Sequence, residues 1–490
     1  MKRPSKTAIG LTALFLTGIV LRVTVVMLLT TEHAAPLTYE HGRIAENMLE
    51  GRGFSIRFLG GEGATSQQAP FYPFLLAGVY SVAGIESPAS ILFVQLLQCV
   101  VGAALIPIVY WLARSLMPGR PAVAWVAACA AMIHPTHLYM TTHLQVVLWV
   151  AVVFTLLLAL VVSPRYRATW RGAIYGGLLS GLLLLIDPIL ALVLPIIALA
   201  FWSYEGGEKS RLIERFRRGP ILRAATMAGV ALLVVTPWLI RGWVVHGQPV
   251  FIKSSLGYAF WQANHPISHG TDKIPKETVD EILRSHDGTL ASIDRALWEA
   301  RHETVYIDNL ALTETDYCHL AALSEPERSK ELGRRAMTFI ADDPGRYVRL
   351  CFDRLQYFLL IDRTNPKASH PLYQATTYLW FGACVLGLLV TVGQWRRLWP
   401  TYALFAIVTI FHSLVITSVR FRIPLEPMTL VWAASAVVFL ARVAASPVRA
   451  IRRRRERAEP ERPVVAQDLR PHFETARDEK IDSQKLRDAG

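Results

Sequence analysis

The sequence is poor in cysteine and in charged residues, and it lacks several well-known catalytic motifs. Its 490 residues include only five cysteines, which are scattered and therefore indicate neither a zinc site nor a disulfide framework. The nucleotide-binding P-loop, the zincin motif and the nucleophile elbow are all missing. Charged residues make up 18% of the chain and hydrophobic residues 52%, so the apolar runs have to be located before soluble domains are counted.

Apolar runs that approach the ~20 residues of a membrane-spanning helix recur along the chain. The formal charge of +13 comes from short basic clusters between these runs, which argues against a nucleic-acid partner. Basic residues mark the cytoplasmic loops, and one segmentation places every basic cluster, including the loop 209–223, on the same side. It predicts an all-α polytopic membrane protein with about ten transmembrane helices and both termini in the cytoplasm. The predicted spans are 8–30, 91–112, 122–133, 144–162, 173–186, 189–202, 224–240, 372–392, 402–416 and 428–440.

This topology leaves two long segments on the outer side of the membrane. The first outer loop, 31–88, contains a proline-bearing apolar stretch at 68–82 that is better suited to lie at the interface than to span. The second begins at 245, and Ser324 to Glu327 form a capping-box pattern ahead of an amphipathic helix. The predicted divisions are an amino-terminal transmembrane module (1–244), an extracytoplasmic and mostly helical region (245–370), carboxy-terminal transmembrane helices (371–446) and a disordered, charged cytoplasmic tail (447–490).

Glu40 stands at the start of a short helix predicted in the first outer loop. A carboxylate at a membrane surface, beside a lipid-exposed cavity, is suited to removing a proton from an acceptor hydroxyl. A carboxylate also simply favours the amino terminus of a helix. The residues by themselves leave both interpretations open.

Four arginines are candidates for binding a phosphate. Arg420 and Arg422 lie in the last outer turn, where the positive-inside tendency disfavours basic residues. A guanidinium binds phosphate oxygens bidentately, so this pair is a candidate anion clamp; the alternative is an ion pair with Glu426 or with the outer loop. Arg22 and Arg241 are weaker candidates, because an arginine in or near a span also snorkels to the interface or anchors a helix there.

Further polar residues on the outer side are compatible with more than one role. Tyr258, Trp261 and Asn264 combine aromatic rings with an amide, a composition suited to binding a sugar, although loop packing uses the same residues. Asp187, which precedes a proline, either caps a broken helix or pairs with Arg22. Three histidines cluster near an outer turn and two more lie four residues apart, but neither group identifies a metal by itself. These histidines are His134, His137 and His143, and His265 and His269.

Several short motifs together resemble the bacterial branch of the polyprenol-phosphate-dependent GT-C glycosyltransferases. This superfamily includes the protein O-mannosyltransferases and the aminoarabinose transferase of lipid A, that is, the family 39 or 83 type. The resemblance covers most of 8–440, and its order and membrane placement carry more weight than any single motif. The motifs are Glu40 with 45–54, then 69–73, Thr236-Pro237-Trp238 with Arg241, 257–264, and Arg420-Phe421-Arg422-Ile423-Pro424.

The resemblance implies an inverting glycosyltransferase that moves a sugar from a polyprenyl-phosphate donor to an extracytoplasmic protein, lipid or glycan. It implies that Glu40 acts as base or as a metal-linked acceptor binder, which makes a divalent metal the one cofactor to consider. The expected location is the inner membrane of a bacterium, with the active site on the extracytoplasmic face. A flippase or transporter of lipid-linked sugars is the alternative, although such proteins often show paired broken helices and only one break is visible, at 187–188. An envelope scaffold without a small-molecule substrate is a further alternative.

Overall fold

The computed structural model describes residues 5–30, 38–167, 169–205 and 218–458. The described residues up to Leu440 form one compact unit, and the described residues from Ala441 onward form another. Part of the predicted basic loop 209–223 lies outside the described residues. The helices of the amino-terminal half are α1 (Lys6–Thr30), α2 (Tyr39–Leu49), α3 (Phe71–Ala83), α4 (Pro88–Ala103), α5 (Leu105–Leu116), α6 (Pro121–Ile133), α7 (Pro135–Tyr139), α8 (Val147–Val162), α9 (Trp170–Ile186), α10 (Leu194–Glu205) and α11 (Arg218–His246).

The carboxy-terminal half of the described chain is also mainly helical. Short 3-10 turns link some of its helices, and one two-stranded antiparallel sheet pairs Lys273 with Tyr306. The elements are α12 (Leu256–Asn264), β1 (Lys273–Pro275), α13 (Thr278–Arg284), α14 (Leu290–His302), β2 (Thr304–Tyr306), α15 (Ile307–Ala311), α16 (Glu314–Ala321), α17 (Glu325–Asp342), α18 (Pro344–Leu359), α19 (Pro371–Val390), α20 (Trp395–Leu414), α21 (Val419–Arg422) and α22 (Glu426–Ala458).

The structure confirms the predicted all-α membrane architecture. Five stretches are helical, long and apolar enough to cross a membrane: Lys6–Leu29, Pro88–Leu116, Gly219–His246, Pro371–Val390 and Val419–Ser446. Four further predicted spans form shorter apolar helices, and the remaining one forms α20, so each of the ten contains a helix. The apolar stretch predicted not to span is α3, which is only 13 residues long; its place at the membrane surface remains a prediction.

The break predicted at Asp187 is present and has a local cause. The chain leaves α9 at Asp187, and a carboxylate oxygen of this residue accepts a hydrogen bond from the backbone N–H of Ile189 at 3.3 Å. This is the capping role predicted for Asp187, because a side-chain oxygen replaces the carbonyl partner that the interrupted helix lacks. The alternative pairing with Arg22 is not formed: the terminal guanidinium nitrogens of Arg22 donate to the carbonyls of Gly18 and Ala131 instead.

The outer region folds around a small core of its own, to which the first outer loop contributes. The predicted capping box forms at the start of α17, where the Ser324 and Glu327 side chains each bond the backbone of the other. Leu332 and Ala336 from the apolar face of α17 are fully buried, and a buried leucine contributes roughly 1.5–3 kcal/mol. They pack with Leu59 of the first outer loop and with residues of α12, α15 and α16. The outer loop and the outer region are therefore held together by apolar contacts.

The last helix is longer than the sequence analysis predicted. The disordered tail was expected to begin at 447, whereas α22 continues to Ala458. The rest of that predicted tail, 459–490, lies outside the described residues.

Candidate functional site

Glu40 occupies the first turn of α2, and several contacts hold the residues next to it, Thr38 and Tyr39 on one side and Gly42 on the other. Tyr39 adopts a positive φ of 52°, a conformation that a residue with a side chain rarely takes. The Thr38 hydroxyl donates a hydrogen bond to the carboxylate of Glu86. Position 42 has to be glycine here, since a Cβ would stand 1.9 Å from Thr38 Oγ1. These contacts set the direction in which the half-buried Glu40 side chain leaves the helix.

Two lysines from separate segments lie close enough to Glu40 for its charge to act on them, and Arg420, from a third segment, acts on both lysines. Lys253, just after α11, donates from Nζ to Gln68 Oε1 at 3.1 Å. Lys273 begins β1, and because its pairing partner is Tyr306, its Nζ lies over the tyrosine ring, 4.5 Å from the ring centre. Arg420 belongs to α21.

The carboxylate of Asp272 completes this group. Arg420 Nη2 lies 3.8 Å from Asp272 Oδ2, and the Arg420 side chain is 48% exposed. We call Glu40, Lys253, Asp272, Lys273 and Arg420 the outer charge cluster.

The charges of the outer charge cluster act on one another. Burial lowers the pKa of the Lys253 ammonium; the nearby carboxylates, Glu40 among them, oppose this change, and Arg420 adds to it. Burial also lowers the pKa of Lys273; the carboxylates of Asp272 and Glu40 oppose this change, and Arg420 adds to it. Partly desolvated cations interact more strongly with an anion than exposed ones do. Asp187 also acts on Lys253 and Asp362 on Lys273, so carboxylates of the fold already offset the charges of the lysines. The half-exposed Arg420 is the cation of the cluster that is most open to a further negative group.

Arg422 does not share this site, although it lies two residues from Arg420. Its side chain is 1% exposed, and its Nε donates to Glu426 Oε1 at 3.0 Å. Nη1 donates to three backbone carbonyls at the end of α18, and Nη2 to the hydroxyl of Tyr373. The structure therefore places Arg422 in the alternative arrangement, the ion pair with Glu426, whereas Arg420 remains the arginine of the predicted clamp that is open to a phosphate.

The two weaker arginine candidates are also engaged within the fold. Arg241 donates to the carbonyls of Thr65 and Phe54 and stacks against Phe54 and Trp238, so it ties the first outer loop to α11. Arg22 is fully buried rather than extended toward the interface. Backbone carbonyls already occupy donors of both guanidiniums, so both hold parts of the fold together, and a contact with the phosphate stays a prediction.

The three residues predicted to bind a sugar or acceptor divide into two groups. Trp261 and Asn264 are each 1% exposed; Trp261 belongs to the core of the outer region, and Asn264 Oδ1 accepts a hydrogen bond from Arg354 at 2.8 Å. Both side chains are packed inside the outer region, and contact with a sugar stays a prediction for them. Tyr258 is half-buried, and its hydroxyl donates to Asp308 at 2.9 Å. Burial, followed by the Asp308 charge, raises the pKa of Tyr258, and Glu40 contributes to this increase, so Tyr258 remains a candidate.

Sequence reasoning missed Lys253, Asp272 and Lys273. No motif contains them, but one signal was available: basic residues on the outer side run against the positive-inside tendency. That signal singled out Arg420, and the same reasoning applies to the two lysines of the outer region.

A divalent metal beside Glu40 does not fit the described part of the chain. Among the described residues, three side chains able to bind a metal lie close together at one place, namely His134, His137 and Glu426. Glu40 does not belong to this group. The charged neighbours of Glu40 include the ammonium groups of Lys253 and Lys273, which would repel a metal ion.

A comparison with models of protein families finds no match, and neither does one with curated proteins. Solved structures do match. The oligosaccharyltransferase of Archaeoglobus fulgidus in its apo form is 14% identical, with a TM-score of 0.51 over 90% of this chain and 52% of that one. The same enzyme, AglB, in complex with an inhibitory peptide and a dolichol-phosphate gives 0.50 over 92% and 52% at 14% identity. The chain has the GT-C fold.

This fold is the one that the sequence motifs predicted, and at such low identity the likeness concerns the fold alone. The chain spans about half the length of the archaeal enzyme, since it covers 52% of it. The ArnT structure from Cupriavidus metallidurans bound to undecaprenyl phosphate is 14% identical over 88% of this chain and 78% of that one, with a TM-score of only 0.40. In the GT-C fold of this chain, the outer charge cluster joins the first outer loop to the outer region and to α21.

Proposed function

We propose that the protein is an inverting glycosyltransferase that moves a sugar from a polyprenyl-phosphate donor to an acceptor on the outer face of a bacterial cytoplasmic membrane. One observation carries the proposal: the Glu40 carboxylate acts on Lys253 and Lys273 from two different segments, and Arg420 from a third segment acts on the same two lysines. The GT-C fold supports it. So does the dolichol-phosphate named in the archaeal complex, which is a ligand of the class proposed for this chain.

The proposed reaction is a single displacement at the anomeric carbon. An acceptor hydroxyl attacks this carbon while the bond to the phosphate oxygen breaks, and the polyprenyl phosphate leaves with the bonding electrons. Glu40 takes the proton of the hydroxyl. General-base catalysis of this kind typically increases the rate by ~10²–10⁴-fold. Attack from the side opposite the leaving group inverts the configuration.

Arg420, Lys253 and Lys273 are the groups proposed to stabilise the departing phosphate. Negative charge increases on the phosphate in the transition state, so fixed cations stabilise that state more than the bound donor. The side chain of Arg420 is half-exposed, and its planar guanidinium can bond two oxygens of a phosphate at once. The two lysines, which burial partly desolvates, act as point charges. This set replaces the pair of arginines predicted from the sequence.

The orientation of the protein in the membrane belongs to the same proposal. The positive-inside tendency places both termini and the basic loops in the cytoplasm. The outer charge cluster then faces the opposite side, where Tyr258 is a candidate contact for the sugar or the acceptor. The proposed acceptor is an envelope protein, lipid or glycan.

The test is sugar transfer by the purified protein in liposomes, with a panel of radiolabelled polyprenyl-phosphate sugars and native membranes as the source of acceptor. Glu40→Gln should lower the turnover rate by ~10²–10⁴-fold without changing the melting temperature. Glu46→Gln is the matched control, because Glu46 lies on the same helix but pairs with the exposed Arg43. Full activity in Glu40→Gln would remove the proposed base. Movement of the donor between leaflets without a covalent product would support a flippase instead.

A further inference from the structure

Two histidines and one carboxylate converge at a point that the proposed reaction does not use. His134 and His137 flank the start of α7, in the turn that follows α6, and Glu426 begins α22. His137 Nε2 lies 3.5 Å and His134 Nδ1 lies 4.0 Å from the same oxygen, Oε2 of Glu426. All three ligand atoms are within 4.8 Å of one another. The group thus connects two segments that are nearly 300 residues apart in sequence.

The three atoms are buried and lack hydrogen-bond partners. The side chains of His137 and Glu426 are 0% and 1% exposed, and that of His134 is 12% exposed. Among the described residues, Nδ1 of His134, Nε2 of His137 and Oε2 of Glu426 have no hydrogen bond of good geometry; the long contact of 3.5 Å between His137 and Glu426 is the shortest between a histidine of this group and the carboxylate. Buried polar atoms are nearly always hydrogen-bonded, so three exceptions at one point require a common explanation.

A metal ion between the three atoms provides that explanation. Zinc binds histidine nitrogen and carboxylate oxygen at about 2.0–2.2 Å, which separates neighbouring ligand atoms in a tetrahedron by roughly 3.3 Å. The distances of 3.5 and 4.0 Å to Glu426 exceed this separation by roughly 0.2 and 0.7 Å, and no two of the three ligand atoms are more than 4.8 Å apart, so a bound zinc ion would draw the three atoms slightly together. Two histidines and a glutamate are also a ligand set that zinc uses when it keeps one position open.

Arg422 orients the carboxylate for this role. Its Nε donates to Oε1 of Glu426 at 3.0 Å, so Oε1 is engaged and Oε2 is the oxygen that faces the histidines. In metal sites, a hydrogen bond to the ligand atom that does not bind the metal commonly fixes the orientation of the ligand side chain. The same contact reduces the cost of the buried negative charge.

We propose that His134, His137 and Glu426 bind one divalent transition-metal ion of the zinc type, which fastens the turn after α6 to the start of α22. The site is separate from the outer charge cluster, since it shares no residue with it. Metal binding can therefore fail while the proposed glycosyl transfer holds, and the reverse is also true.

The test measures metal in the full-length protein, purified with a tag that contains no histidine, stripped with a chelator and then given Zn²⁺ alone. Elemental analysis by inductively coupled plasma mass spectrometry should find one zinc per chain, and Zn²⁺ should raise the melting temperature of the protein. His137→Gln should bind zinc at least ~10–100-fold more weakly, the range found even for loss of an outer-sphere partner. His143→Gln, which changes a histidine of the same turn, should keep one zinc per chain.

Two results would overturn the proposal. One is a stripped wild-type protein that takes up no zinc, which would leave an ion pair between a protonated histidine and Glu426 as the explanation. The other is His137→Gln protein that still binds one zinc with unchanged affinity. If the variant does not fold, Co²⁺ added to stripped wild-type protein decides: visible absorption of a histidine-bound cobalt site supports the proposal, and its absence contradicts it.

Discussion

Replacing Arg422 should lower the stability of the protein, whereas replacing Arg420, two residues earlier, should lower its affinity for the donor. Arg422→Gln removes the partner of Glu426, and both side chains of this pair are 1% exposed. Breaking a buried ion pair from one side costs ~3–5 kcal/mol, because the remaining charge stays buried without compensation. Three carbonyls at the end of α18 also lose their donor. We therefore expect Arg422→Gln to be strongly destabilised or to fail to fold.

Arg420→Gln should fold normally and lose donor binding. The side chain of Arg420 is 48% exposed and stands 3.8 Å from the carboxylate of Asp272, and exposed ion pairs of this kind contribute only ~0–1 kcal/mol. A hydrogen bond to a charged phosphate contributes about 1.5–3 kcal/mol, which corresponds to roughly 10–100-fold in donor affinity.

The assay compares the two variants and the wild type in one detergent. Thermal unfolding gives the stability, and titration with a polyprenyl-phosphate sugar gives the donor affinity. The reasoning would be refuted if Arg422→Gln melted like the wild type. It would also be refuted if Arg420→Gln bound the donor with unchanged affinity.

Two further predictions concern pH and packing. Burial, reinforced by neighbouring cations, lowers the pKa of His41 to about 3, so below its ordinary pKa of ~6.5 the unfolded chain takes up a proton that the folded chain refuses. The free energy of unfolding should then fall as the pH drops from about 6.5 toward 3. Melting curves should show a smaller fall for His41→Asn than for the wild type, and the same fall as the wild type for the exposed His286→Asn. Parallel profiles of the wild type and His41→Asn would contradict this. In Gly257→Ala the new Cβ would stand 1.9 Å from the Ser329 carbonyl oxygen, which should cost ~1–3 kcal/mol by denaturant unfolding; Gly78→Ala, with open space around it, is the control, and equal stability of the two variants would exclude the steric explanation.

The local features of the protein could be predicted from the sequence. Hydropathy and the basic loops predicted a helix in every span, because a bilayer requires apolar helices of a definite length. The capping box at Ser324 and the break at Asp187 were also predictable, since each involves side chains and backbone groups only two or three residues apart.

The composition of the site was decided by the tertiary structure. Arg420 and Arg422 are equivalent in sequence, yet two steps of a helical turn direct them about 200° apart, one toward the outer charge cluster and one toward Glu426. The sequence could not associate Lys253 and Lys273 with Glu40, or His134 and His137 with Glu426. Such groups meet only when distant segments pack together, and no local propensity or period encodes a contact between residues hundreds of positions apart. The sequence by itself therefore determined the helices, their order and one candidate base, whereas the packing of those helices decided which charges surround it.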